Sequence, residues 1–298
     1  MADRGYASAT SGSGPGLRKA MIEFVRWIFL LSALVFAMLP LLWVTSTAFS
    51  SAASIVNGSL LPRSPTLANF SHVIRQESNP FLLWTWNSIR IATATSLLSV
   101  LITALSAYGF SRFRFVFRRS LLLGILLIQV FPSSLTMVAL FLLLHQIGVY
   151  IPALGLNSHI ALVLVYTGAQ MGINVWLMKG FFDTVPSEID ESARVDGATH
   201  AQIFWRLILP LVRPILAVVG LIVFMATFSE FVLARIMLRG SENITLMVGL
   251  QLFIAEPTTA KWGIFAAGSF LASIPVVALY LMLQDTIVGG LTTGAVKG

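Results

Sequence analysis

The sequence contains no cysteine. Disulfides, thiolate nucleophiles and cysteine-based metal sites are therefore excluded, and the redox compartment stays open. Charge is scarce too: 10% of the 298 residues are Asp, Glu, Lys or Arg, against roughly 25% in soluble domains. No lysine follows a glycine, so the Gly-Lys pair of the phosphate-cradling Gly-x4-Gly-Lys-Ser/Thr loop is missing. ATP hydrolysis by that motif must come from another chain. The H-E-x-x-H and G-x-S-x-G patterns of metalloproteases and hydrolases are absent as well. The four histidines, His72, His145, His159 and His200, are scattered and suggest no metal site.

What the chain has instead is apolar residues, 57% of the total, with a mean hydropathy of +0.87. They cluster into runs long enough to cross a bilayer, which takes about 20 residues. Six such runs are expected, at residues 27–48, 90–110, 120–144, 160–178, 212–234 and 263–284, giving an all-α membrane protein with six transmembrane helices. Residues 1–17 are small and polar and read as a disordered tail. The membrane domain covers 18–298. The run from Trp27 to Phe49 is too long for the apolar core of a signal peptide and is expected to be an uncleaved first span.

Thirteen of the nineteen Lys and Arg residues fall in loops on one side of this arrangement and six on the other. The positive-inside rule then places both termini and the loop 179–211 in the cytoplasm. The net charge of +7 follows from these flanking cations and points to the lipid bilayer rather than to nucleic acid.

One polar insert interrupts the apolar pattern. Residues 187–210 hold four of the twelve carboxylates. Ser187 and Asp190 fit a capping pattern at the start of a helix, with Glu188, Asp190 and Glu191 near its positive end. Gly197 stands where a helix would end with φ above zero. Thr199 and Gln202 form a second capping box. Ile203, Phe204, Leu207 and Ile208 have the spacing of an apolar stripe. The expected product is a helix–turn–helix at the membrane surface. A DNA-reading helix–turn–helix is disfavoured, because the second helix offers only Arg206 for phosphates. A well-capped loop without a partner and a docking element for a cytoplasmic protein remain as readings of the local chemistry.

The run Glu191-Ser192-Ala193, Gly197, Leu207, Leu209-Pro210 resembles the cytoplasmic E-A-A-x3-G-x9-I-x-L-P loop of ABC-importer permeases, with Ser192 for Ala and Leu207 for Ile. The segment 87–115 resembles the second span and following loop of sugar-importer permeases, and the segments 154–159, 175–186 and 289–298 resemble the smaller permease subunit of maltose/maltodextrin importers. This resemblance implies a type I importer permease fold in which a second permease completes the pore, an ATPase homodimer below binds ATP and Mg, and a sugar-binding protein docks outside. It implies no cofactor on this chain and no catalysis by it. Glu191, Ser192, Ala193, Asp196, Gly197, Ala198, Leu209 and Pro210 would form the ATPase-coupling element. Thr293, Gly294, Lys297 and Gly298 would lie in a C-terminal tail reaching the ATPases, with its glycines free to take extended shapes. Ile254, Glu256, Pro257, Thr258 and Thr259 would belong to an external loop probing the binding protein.

Four polar residues fall within the expected spans: Gln129, Gln170, Asn174 and Glu230. They are candidates for a translocation path. Interhelical hydrogen bonds are the competing reading, and for Glu230 a structural or permease–permease role is preferred to sugar contact. Pro132 and Pro275 are expected to kink their spans. An importer of trehalose or another oligosaccharide, and an ion-coupled secondary transporter, stand as alternatives.

Overall fold

A computed structural model describes residues 15–51, 62, 64–75, 79–255 and 260–295. Twelve helices account for most of these residues: α1 Pro15–Ala48, α2 Ala68–Arg75, α3 Phe81–Arg112, α4 Arg118–Ile128, α5 Ser133–Tyr150, α6 His159–Phe182, α7 Ser187–Val195, α8 His200–Leu211, α9 Arg213–Phe228, α10 Val232–Met237, α11 Leu246–Gln251 and α12 Trp262–Ala295. Among the described residues there is no β-strand, only an isolated bridge between Ser50 and Pro65.

Four helices are long and apolar enough to cross a membrane: Lys19–Ala48, Phe81–Arg112, His159–Phe182 and Trp262–Ile287. Six spans were expected, and the other two fall on shorter pieces. The third, 120–144, is divided between α4 and α5. Pro132 cannot donate to the helix ladder and steers Phe131 out of helical geometry. The last N–H groups of α4 accordingly reach back only three residues, from Gln129, Val130 and Phe131 to Leu126, Leu127 and Ile128. The fifth, 212–234, is the 16-residue α9, followed by a turn and the short α10. Pro275, by contrast, lies inside the continuous α12.

α3 is the central helix, packed on α6 and α9. The sequence explains why. Ser88, Ala92, Thr95, Ser96, Ser99, Thr103 and Ala107 recur every three or four residues and are all buried, and small side chains let helix backbones approach closely in membranes. Ser96 Oγ donates 2.7 Å to the carbonyl of Gly220 on α9. α1 is the opposite case. Residues 19–43 are all exposed, so Phe24, Trp27, Phe29 and their neighbours are left for lipid or another chain.

The buried side chains form two clusters. One, built on Trp84, Leu162, Phe228, Leu246 and Leu250, lies where α3 and α6 begin. The other, built on Tyr108, Met178, Phe182, Ile203, Phe204, Ile208 and Val219, lies where α3 and α6 end and α9 begins. The polar insert caps this second cluster.

Candidate functional site

The insert is α7, a turn and α8. Ser187 is already helical, and no side chain caps α7 at Pro186, so the expected capping role of Ser187 and Asp190 is not taken. Pro186 needs no partner for a missing N–H, which makes it a suitable residue at the boundary. Asp190 is drawn elsewhere. Its Oδ2 sits 2.9 Å from Nε of Arg112, the last residue of α3, and both side chains are nearly buried at 9% and 11% exposure. Arg112 also donates to the carbonyl of Val185 at 2.9 Å and to that of Phe182 at 3.4 Å. Tyr108 Oη lies 3.5 Å from Oδ1 of Asp190, at the edge of hydrogen-bond range. One guanidinium thus ties the foot of α3 to the end of α6 and to the middle of α7.

The turn follows the sequence expectation. Gly197 has φ +83°. Ala198 N–H bonds to Ala193 O at 2.9 Å and Gly197 N–H to Arg194 O at 3.0 Å, the pair of bonds that closes a helix on a left-handed residue. Two residues on, Thr199 and Gln202 form the expected capping box. Gln202 N–H donates to Thr199 Oγ1 at 3.3 Å, and Thr199 N–H donates to Gln202 Oε1 at 2.8 Å.

α8 departs from the expected apolar stripe. Ile203, Phe204 and Ile208 are buried, but Leu207 is exposed. The reason is that Ile203–Ile208 is wound as a π-helix, with more residues per turn. Residues five apart therefore share a face, and Leu207 turns outward. Pro210 contributes by withholding the N–H that would bond to Arg206 in an α-helix. At Val212 the chain bends by 79° into α9.

The outward face of the insert carries Glu188, Glu191, Ser192, Asp196 and Gly197, together with Val195, Trp205 and Leu207. Val195 is 88% exposed. Glu191 makes no ion pair or side-chain hydrogen bond among the described residues. Ala193 faces the core, Ala198 and Leu209 pack against its edge, and Pro210 is exposed. The coupling candidates thus divide into a buried foundation and an exposed, mixed acidic and apolar surface. Beside them, Asp183 accepts from Lys179 at 2.5 Å and from Ser111 at 2.7 Å. Burial alone would raise its pKa, but these bonds and the nearby Arg118 outweigh it and hold the carboxyl below its ordinary value.

The remaining candidates are distributed as follows. Gln170 and Asn174 lie four apart on α6, in line with Tyr166, and Asn174 Nδ2 donates to Gln170 O at 2.7 Å. Gln129, with its amide oxygen turned toward α6, accepts from Gly172 N at 3.3 Å and Ile173 N at 3.0 Å. Gly172 is what lets it approach, since a Cβ there would collide with the Gln129 side chain. Glu230 accepts from Tyr166 Oη, from Leu233 N at 2.8 Å and from Ala234 N at 3.1 Å. It therefore works as the N-terminal cap of α10. Ile254 is half-buried beside a loop whose ends are joined by Lys261 N–H to Phe253 O at 2.8 Å. Glu256, Pro257, Thr258 and Thr259 lie outside the described residues, as do Lys297 and Gly298. Thr293 and Gly294 fall within α12, which runs to Ala295. The glycines that leave the tail free to take extended shapes are helical as far as Ala295.

Sequence reasoning missed the residues that organise the far end. Trp84 Nε1 donates to Ser241 O at 2.7 Å, and Asn87 Nδ2 donates to Glu242 O at 2.9 Å and Ile244 O at 3.2 Å. Ser88 Oγ accepts from Leu246 N at 2.8 Å. Asn157, at φ +61°, donates from its backbone to Met237 O and accepts from Arg239 N, both at 2.9 Å. His159 Nε2 lies 2.7 Å from Asn243 O. The available signal was the run of polar residues opening α3 and α6.

Residues 99–290, which include the whole insert, match the family model described as the binding-protein-dependent transport system inner membrane component. The chain belongs to this family. Among curated relatives, this family member is 39% identical over 276 residues to the maltodextrin transport system permease protein MdxG of Bacillus subtilis (93% of this chain, 96% of the relative). It is 38% identical over 281 residues to the galactooligosaccharides transport system permease protein GanQ of the same organism (93% and 97%). It is 36% identical over 295 residues to the maltose/maltodextrin transport system permease protein MalG of Escherichia coli (95% and 98%). A crystal structure of a bacterial ABC transporter that imports the acidic polysaccharide alginate includes a chain of the same fold. The two superpose with a TM-score of 0.76 over 95% of this chain and 99% of that one, at 23% identity. As a family member the chain is a membrane-spanning permease component of an importer.

Proposed function

We propose that this family member is the transmembrane permease subunit of an ATP-driven importer for maltodextrin-type oligosaccharides. In this reading it lines the translocation pore with a second permease and is driven by a cytoplasmic ATPase homodimer that binds ATP and Mg. A sugar-binding protein delivers substrate on the opposite face. Both termini and the insert are cytoplasmic, as the distribution of Lys and Arg indicates. The chain itself carries no reaction. The observation that supports this most is the insert: a rigidly capped helix pair, anchored by Arg112 and Asp190, that presents Glu191 outward without a partner among the described residues. Such an exposed carboxylate, one turn from the exposed Val195 on the same helix, fits a cleft with a basic residue and apolar walls.

Gln129, which meets α6 at Gly172 and Ile173, and Gln170 and Asn174, which lie on another side of that helix, are proposed to border the path. Glu230 is left out of that role, because three donors already occupy it. The same engagement weakens the ion-coupled alternative, which needs a free intramembrane carboxylate. The C-terminal residues Thr293, Gly294, Lys297 and Gly298 are proposed to approach the ATPases, and the loop from Ile254 to Thr259 the binding protein. Relatives named for maltodextrin and for galactooligosaccharides are about equally similar, so overall identity does not choose the sugar.

Two variants test the coupling role. Gly197→Asp strains the turn, although the space for a side chain there is open. Glu191→Lys reverses the exposed charge. Each is expected to insert normally, to lose co-purification with the ATPase and to abolish ATP-driven uptake. Normal co-purification and uptake by both variants overturns the assignment. Stimulation of ATP hydrolysis in the assembled complex by maltodextrin, against galactooligosaccharide and trehalose, tests the substrate.

A further inference from the structure

A second feature lies at the same end as the insert, where α3 ends, α4 begins and α6 ends. Phe115, Phe117, Arg118, Arg119, Ser120, Leu122 and Lys179 line an open hollow of about 560 Å³. Its charge is one-sided. Lys179 is matched by Asp183, but Arg118 and Arg119 form no side-chain hydrogen bond or ion pair among the described residues. Both arginines stand in the first turn of α4, which holds no acidic residue. Cations at this end of a helix are opposed by its dipole, an arrangement that an anion in the hollow would reverse. The apolar part of the wall faces outward: Phe115 and Phe117 are both exposed. Phe117 is held at φ +68°, where a non-glycine residue is uncommon. Three cations with one nearby carboxylate, Asp183, beside exposed apolar rings at the foot of three helices match the chemistry of the headgroup layer, where phosphates meet acyl chains.

We propose that this hollow binds the phosphate-bearing headgroup of an anionic phospholipid, with Arg118 and Arg119 on the phosphate and Phe115 and Phe117 against the upper acyl chain. The site is separate from the face of the insert that carries Glu191, so it stands whether or not the coupling assignment does.

The test uses the full chain in mild detergent, titrated with phosphatidylglycerol, phosphatidylcholine or inorganic phosphate, with retained lipid read by native mass spectrometry. Phosphatidylglycerol is expected to bind at least tenfold tighter than phosphatidylcholine and to resist displacement by inorganic phosphate. R118Q/R119Q is expected to lose roughly 25-fold in phosphatidylglycerol affinity, about fivefold per arginine. R118K/R119K is expected to keep most of it. K19Q/R26Q, which removes two cations from α1 instead, is expected to keep it all. Ser120→Trp fills the hollow with every charge in place and is expected to lose binding as well, which separates a site from a general charge effect. Helicity measured by circular dichroism checks that each variant is folded. Equal binding of the two lipids, displacement by inorganic phosphate, or unchanged affinity in both R118Q/R119Q and Ser120→Trp overturns the proposal.

Discussion

The two ends of the helix assembly are closed by different means. At one end, residues 183–212 form short helices whose adjoining termini are satisfied within the unit, through the Gly197 turn and the Thr199–Gln202 capping box. This unit is then fixed to the spans by one nearly buried ion pair and by Ile203, Phe204 and Ile208. At the other end, residues 237–246 contain little helix of their own. They are stitched in place by Trp84, Asn87, Ser88 and His159 from the neighbouring helices and by Asn157 from the turn before α6. A self-capped unit on few anchors keeps its shape when it moves. A segment held at every second residue keeps its position and loses its shape if the hooks are cut.

The comparison is most sharply tested at Asp190. Replacing it with Ala leaves Arg112 buried without its counter-charge, a change expected to cost about 3–5 kcal/mol. The thermal midpoint of the chain in detergent reads this. Arg112→Met combined with Asp190→Leu is expected to recover most of the loss, since a buried pair is replaced by apolar packing. If Asp190→Ala is tolerated, the insert does not depend on a single anchor.

The next effect lies at the opposite end. A Cβ on Gly249 would fall 2.1 Å from the Trp84 ring. Gly249→Ala is therefore expected to destabilise by about 1–3 kcal/mol through overpacking. It should also loosen residues 237–246, measured as faster amide exchange there with the insert unchanged.

Thr199→Ala comes third, at about 1 kcal/mol for the lost cap. Its signature is local: protection falls at the start of α8 while the opposite end is unaffected.

The smallest effect is a pH dependence. The carboxyl of Asp183 is held below its ordinary pKa. Its contribution is therefore fully present above the unfolded value of about 4 and is lost as pH falls through the lower folded value. Acid below about pH 4 is expected to loosen the 179–187 junction, read as increased proteolysis there. In Lys179→Met that acid sensitivity should shrink.

What could be read from the sequence was what is local. Gly197 and the Thr199–Gln202 pair act over three or four residues, and both lie as their spacing implies. The break at Pro132 was legible for the same reason, though as a kink rather than a gap between two helices. Contacts between distant positions were not legible. Nothing near Arg112 in the sequence points to Asp190, and nothing near Gly172 points to Gln129. Such pairs exist only once the helices are packed. Leu207 shows a third kind of miss. The apolar residues were identified correctly, but the α-helical period was applied to a segment wound as a π-helix, and the face turned with it.

The three bonds of Arg112 have a mechanical consequence. A force pressed onto the exposed side of α7 meets a joint that is fastened at once to the foot of α3, the tail of α6 and the carboxylate of Asp190. Its other route, through Ile203, Phe204 and Ile208, leads to the foot of α9. The insert therefore cannot be displaced as an independent flap. It behaves as the short arm of a lever whose fulcrum is a single guanidinium, and any stroke it receives is shared by three helices together.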